Sequence, residues 1–229
     1  LALPISQDLR EIVPLLLEKL KIIDLPDWGN WLQQCQEKKK RLKTVSPEDT
    51  KNPINSYYFV ERLEAYSNEN NIFINDAGSS NYICSQGLEL NRGQRELTSG
   101  AYYTMGITIP FAIGASVTDK DAQILAITGD GSIEMNIQEL KTISCNDVNI
   151  KLFVINNGGY ASIRESQDAM CGGRYTDEQE ILDFSKVAQA FDLPFHILDK
   201  AEELDEKIPT ILAEKGSALI EVVCDENQE

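Results

Sequence analysis

After residue 53 the chain settles into a rhythm that most constrains its fold: short apolar runs, each followed by a stretch of helical character. The runs 71–75, 123–128, 150–156, 195–198 and 218–223 predict buried strands. The segments 54–67, 105–117, 136–144, 181–190 and 201–213 predict helices. Strands separated by helices can pair in parallel, because the helix supplies the crossover and then covers a face of the sheet. The predicted fold is therefore α/β: a doubly wound, mostly parallel sheet with helices on both faces.

The first part of the chain breaks this rhythm. Residues 8–21 place Leu9, Ile12, Val13, Leu16, Leu17 and Leu20 at helical spacing, with Pro14 implying a kink or an early first turn. A second helix is predicted over 28–43, and its basic run Lys38-Lys39-Lys40-Arg41 reads as a solvated helix end. Residues 46–53, with two prolines and mixed charges, read as a linker.

Charge narrows the partners. A net charge of −16 repels a bare phosphate backbone, so no nucleic acid is expected. A phosphorylated small molecule would need a metal ion and backbone N–H donors rather than a lysine cluster. No apolar run is long enough to span a membrane. The chain opens at Leu1 with no basic leader and reads as a segment of a longer protein. The only histidine, His196, lies in an apolar run and reads as structural, which excludes two-histidine chemistry. The five cysteines are scattered without a C-x-x-C pair, as expected of reduced, buried thiols in a cytoplasmic protein.

Three strand ends carry the polar residues that chemistry would need. Strand 71–75 runs into Asp76-Ala77-Gly78-Ser79-Ser80, strand 123–128 into Gly129-Asp130-Gly131-Ser132, and strand 150–156 into Asn157-Gly158-Gly159-Tyr160. Each alone is an ordinary turn sequence. Together they offer a carboxylate, an amide oxygen and glycines that admit a ligand close to backbone. Hard cations such as magnesium take such oxygen ligands and complete their shell with phosphate and water.

Gly129-Asp130-Gly131 followed, after a helix and an apolar strand, by Asn156-Asn157 resembles the signature of thiamine diphosphate enzymes; Asp130 and Asn157 stand 27 positions apart. Leu97-Thr98-Ser99-Gly100, Thr104-Met105-Gly106, Ile113-Gly114-Ala115 and Gly172-Gly173-Arg174-Tyr175 resemble the acetolactate synthase branch. The resemblance implies that 54–229 is the diphosphate-binding domain and 1–45 the tail of a middle domain or a helical lead-in. Nothing in the chain resembles the family's N-terminal pyrimidine-binding domain, which holds the glutamate that activates the cofactor.

The same resemblance implies roles for single residues. Magnesium would be held by the Asp130 carboxylate, the Asn157 side-chain oxygen and the Gly159 carbonyl. The diphosphate would meet Gly129, Gly131, the Ser132 N–H and hydroxyl, Ser162 and Ser79. Met105 would be the bulky wedge that bends the cofactor into a V, and the Tyr103 carbonyl would accept a hydrogen bond from its exocyclic amine. The family acts on 2-keto acids, commonly as a homodimer or homotetramer, and FAD is compatible with a full-length protein of this branch.

Departures from the branch put the substrate in doubt rather than the cofactor. Tyr103 stands where the synthases have glycine, the loop after Asp76 reads Ser80-Asn81-Tyr82 instead of Gln-His-Gln, and Glu165-Ser166-Gln167 lacks the tryptophan. Ile163 falls where simple decarboxylases place a glutamate; an aliphatic side chain cannot deliver a proton, which favours carboligation. A non-catalytic or split-subunit module, or a 2-keto acid decarboxylase or lyase of other specificity, are the alternative readings.

Overall fold

The computed structural model describes residues 4–175 and 180–226, in two compact units, 1–43 and 44–229. The first unit holds two helices, α1 (Leu9–Leu20) and α2 (Gly29–Arg41). Asp8 caps α1 by accepting the Arg10 N–H, and the helix runs on through Pro14 without interruption. Neither helix buries a residue, although Leu9, Leu16, Leu17, Trp28 and Trp31 are large and apolar.

The second unit is built on six parallel strands: β1 (Asn71–Asn75), β2 (Arg95–Leu97), β3 (Gln123–Gly129), β4 (Ile150–Asn156), β5 (Phe195–Leu198) and β6 (Ala218–Val223). Their order is β2-β1-β3-β4-β6-β5, every pair parallel. Strand alternation sorts the side chains onto two cores. Phe73, Leu125, Ile127, Phe153, Ile155, Ile220 and Val222 face one layer, with helices α3 (Ser56–Ala65), α4 (Gly78–Gly87) and α10 (Leu204–Ala213). Ile72, Ile74, Ile124, Ala126, Leu152, Val154 and Leu219 face the other, with α5 (Thr108–Thr118), α6 (Asp130–Ile133), α7 (Leu140–Ser144) and α9 (Phe184–Ala190). Each fully buried large side chain contributes roughly 1.5–3 kcal/mol, so the unit rests on both faces of one sheet. The doubly wound α/β fold expected from the pattern is the fold observed.

Several boundaries differ from expectation. Residue 54 is extended and bridges Cys224, and α3 starts only at Ser56, where the Asn55 side chain accepts the Tyr57 and Tyr58 N–H groups. Segment 46–53 is tied to this unit: Asn52 bonds Glu202 and the Ala201 N–H. The helix predicted from residue 105 begins at Thr108, because Gly106 adopts φ +81° and its N–H bonds side chains instead of a helical carbonyl. The helix predicted over 136–144 is the end of a longer irregular one. Helix starts at Asp130, tightens to 3-10 over Glu134–Glu139, breaks its dihedrals at Asn136 and resumes as α7. Helices α4 and α8 (Ala161–Cys171) and the three-residue edge strand β2 were not predicted. The helix predicted over 181–190 forms from Phe184, capped by Asp183.

Lys151 is a surprise in the middle of this sheet. It is fully buried on β4, its Nζ donating to the Glu214 and Gly216 carbonyls at 2.9 and 2.7 Å. Desolvation lowers its pKa, and the two carbonyls are what make the buried ammonium tolerable.

Candidate functional site at the strand ends

The chain leaves β1 toward β2 on one side and returns to β3 on the other, so β1 and β3 form the topological switch where open α/β sheets bind ligands. Three helices, α4, α6 and α8, start just beyond β1, β3 and β4, with their N-termini at this same edge. Unpaired N–H groups and the helix dipole make such an edge favourable for anions.

A cavity of about 310 Å³ opens there. Its walls include Ser79 from the first loop, Tyr103 and Met105 from the loop before α5, and Gly129, Asp130, Gly131 and Ser132 after β3. Asn157, Gly159 and Ser162 complete it after β4. All ten residues singled out from the sequence thus line one space, although they span 84 positions of chain from Ser79 to Ser162. A second recess of about 540 Å³ shares Ser79, Asn157 and Ser162 and continues toward Arg164, Asp225 and Glu226.

Asp130 is 3% exposed. Its carboxylate accepts three backbone N–H groups, from Gly131 at 2.7 Å, Asn157 at 3.2 Å and Gly159 at 2.9 Å. Burial raises its pKa, and the three N–H groups with the nearby Arg164 charge offset that only in part. Asn157 donates its Nδ2 to the Ser79 hydroxyl at 3.3 Å, which joins the first and third loops. Among the described residues no group of three His, Cys, Asp or Glu side chains is placed to hold a metal. Any cation here would rest on one carboxylate, an amide oxygen and backbone.

The residue that organises the site was read from sequence only as the end of a strand. Asp76 is fully buried. Oδ1 accepts the Ala77 N–H and the Ser80 hydroxyl at 2.7 and 2.9 Å. Oδ2 accepts the Gly106 N–H, the Thr128 hydroxyl and the Ser132 hydroxyl at 3.2, 3.0 and 2.6 Å. One carboxylate thereby fixes the ends of β1 and β3 and the loop carrying Met105. The Ser132 hydroxyl, expected at the diphosphate, is engaged here: it donates to Asp76 and accepts the Gly106 N–H at 2.9 Å.

The loop bearing Tyr103 and Met105 is pinned from both sides. Besides its N–H, Gly106 has its carbonyl held by Asn136 Nδ2 at 2.9 Å. Asn136 is the residue with non-helical dihedrals, so the break in the helix is what turns its amide toward this loop. Tyr103 takes a left-handed φ of +45°, a conformation that favours glycine, at the position where the synthase branch has glycine. Asp76, Asn136 and Arg164 are the site residues that sequence reasoning missed. For Asp76 the signal was an acidic residue closing a buried strand at the switch point; for the other two no local signal exists.

The family described as "Thiamine pyrophosphate enzyme, C-terminal TPP binding domain" matches residues 76–222. The acetolactate synthase isozyme 1 large subunit of Escherichia coli (strain K12) is 26% identical over 220 residues, 94% of this chain and 38% of that protein. A probable acetolactate synthase large subunit of Methanocaldococcus jannaschii is 29% identical over 231 residues, 97% of this chain and 39% of its own. The acetolactate synthase large subunit of Cyanidium caldarium is 29% identical over 220 residues, 94% and 37% respectively. The chain therefore spans less than two-fifths of the length of these relatives. The match begins directly after β1, takes in the other five strands but for the last residue of β6, and includes the whole cavity wall, and by it the chain belongs to the thiamine pyrophosphate enzyme family, as a C-terminal TPP-binding domain.

Proposed function

We propose that residues 54–229 are the diphosphate- and magnesium-binding domain of an acetolactate synthase-like carboligase acting on 2-keto acids in the cytoplasm. Residues 46–53, held to this domain through Asn52, connect it to 1–45, the tail of a middle domain or a helical lead-in. The observation that carries this reading is the convergence of the ten motif residues on one cavity at the switch point.

The donor set fits magnesium bound together with a diphosphate. Asp130 is a buried carboxylate with no cationic side chain hydrogen-bonded to it, and the Asn157 amide oxygen accepts no hydrogen bond among the described residues. These two and the Gly159 carbonyl supply three oxygens; an octahedral ion needs the remainder from diphosphate and water. Ser79, Ser162 and the Ser132 backbone would hold the phosphates, while Gly131, whose N–H is taken by Asp130 at 2.7 Å, would let them approach closely. When bound, the thiamine ring supplies the electron sink for breaking and making carbon–carbon bonds. Met105, on its pinned loop, would be the wedge that shapes the cofactor when it is bound, and the Tyr103 carbonyl would accept a hydrogen bond from its exocyclic amine. Ile163 on the cavity wall offers no proton, which supports carboligation over aldehyde release. The exposed Tyr102, Phe111 and Met135 near this loop suit a homodimer or homotetramer interface, and the five free cysteines suit a reducing compartment.

Calorimetric titration tests this. Thiamine diphosphate should bind only with magnesium present, because a chain of net charge −16 repels a polyanion unless a cation bridges them. Asp130→Ala should keep the folded circular dichroism spectrum and lose magnesium-dependent binding. Unchanged affinity in that variant would overturn the metal assignment.

A further inference from the structure

Arg164 is 6% exposed, on the first turns of α8. Its guanidinium does not bond a carboxylate among the described residues. Instead Nη1 donates to the Gly158 carbonyl at 2.7 Å, and Nη2 to the Asn157 carbonyl at 2.9 Å and the Glu226 carbonyl at 3.2 Å. The planar fork of arginine suits such a task, since its donors diverge at fixed angles and can hold several carbonyls at once.

The consequence lies in the two peptide planes of the 157–159 turn. The peptide joining Asn157 and Gly158 has its carbonyl on Arg164 and its N–H on Asn156 Oδ1, at 3.3 Å. The peptide joining Gly158 and Gly159 has its carbonyl on Arg164 and its N–H on Asp130 Oδ2. Both planes are gripped at both ends. Without that grip the turn is soft, because Gly158 and Gly159, at φ +78° and +107°, have no side chain to restrict them. The segment after β6 closes the arrangement. The Cys224 N–H pairs with the Asn156 carbonyl at 2.8 Å, and a Cβ built on Gly158 would lie 3.0 Å from Glu226 Cγ and Cδ.

We propose that Arg164 is a positioning residue that clamps the 157–159 turn between Asp130 and the 224–226 segment, presenting the Asn157 amide and, one peptide beyond the two gripped planes, the Gly159 carbonyl to a divalent cation. The inference rests on the reading of the site given above, but names a residue that touches neither cofactor nor cation. Groups that orient metal ligands from behind typically change metal affinity by about 10- to 100-fold when removed.

The test is calorimetry of the full chain with magnesium chloride at saturating thiamine diphosphate, for wild type, Arg164→Met and Arg164→Lys. Methionine keeps much of the buried volume and removes every donor. Lysine keeps an N–H donor at the position but not the planar fork, so it should rescue part of the loss. Arg164→Met should weaken magnesium binding by about tenfold or more, with Arg164→Lys between it and wild type. Amide hydrogen exchange of Gly158 and Gly159, measured without metal, should speed up in Arg164→Met while strands β3 and β4 stay protected. Wild-type magnesium affinity together with wild-type exchange in Arg164→Met would overturn the clamp. If the wild-type chain takes up no magnesium at all, the reading of the site fails and the cation half of this inference fails with it. The exchange measurement then still decides whether Arg164 grips the turn.

Discussion

Two aspartates close neighbouring strands, and their surroundings assign them different work. Asp76 accepts five hydrogen bonds, three of them from hydroxyl groups, and is saturated as a structural anchor. Asp130 has only backbone N–H donors, and burial leaves its proton affinity above that of a free aspartate. Because the folded state holds this proton more tightly than the unfolded chain, Asp130 favours folding at pH below its ordinary value. That contribution is lost as pH rises through the raised folded value. Once ionised in the metal-free domain, the buried carboxylate is compensated only in part, by three backbone N–H groups and the nearby Arg164 charge. Asp130→Asn cannot ionise. Its melting temperature, compared with wild type, should rise in relative terms as pH is raised from acid through that window, then level off. Magnesium with thiamine diphosphate should stabilise wild type alone. A difference between the two proteins that does not vary with pH would show that burial of Asp130 costs the fold nothing.

At the scale of elements, the loop between β2 and α5 and the broken helix after β3 behave as one piece, joined at Gly106. A Cβ there would lie 2.5 Å from Met135 Cβ, and φ is +81°. Gly106→Ala should therefore cost about 2 kcal/mol or more in urea unfolding, from clash and left-handed strain together. Gly100→Ala is the control: its φ is +65° but its surroundings are open, so it should lose only the strain, about 1 kcal/mol. Equal losses would mean that Met135 yields easily and the two elements are not locked. The same region shows where sequence could be read and where it could not. The central strands were legible because runs such as Ile-Phe-Ile and Leu-Phe-Val-Ile are apolar on both faces and bounded by turn residues. Helix α4 was not: Gly-Ser-Ser-Asn at its start reads as a turn. The start of α5 was misplaced because Met105 continues the apolar pattern across a glycine whose N–H is claimed by residues 30 and 26 positions away. The ten cavity residues were legible through a family spacing. Arg164 was not, because one of the carbonyls that gives it meaning lies 62 positions on.

At the scale of the whole molecule, the cavity proposed above to take a cofactor's anionic end offers, among the described residues, no acid for the cofactor's other end. The only carboxylate on the wall formed by the described residues is Asp130, which the reading above assigns to the cation. Asp76 lies behind the wall with both oxygens occupied. In the family that this chain resembles, a glutamate from a separate pyrimidine-binding domain supplies the missing acid, and general acid–base work requires that acid within hydrogen-bond reach of the ring. Met105 and Tyr103, proposed above to shape the cofactor, carry no carboxyl group to replace it. The 229-residue chain should consequently bind thiamine diphosphate with magnesium, weakly, and release no carbon dioxide from pyruvate or other 2-keto acids. Its exposed Tyr102, Phe111 and Met135 should promote self-association, visible as a concentration-dependent sedimentation coefficient. Adding a pyrimidine-binding domain from an acetolactate synthase in trans should restore a measurable rate if the interface reforms, and a variant of that domain without its glutamate should not. Carbon dioxide release by the purified chain alone, in proportion to its concentration and abolished by Asp130→Ala, would place the acid within these residues and refute the division of the active site between domains.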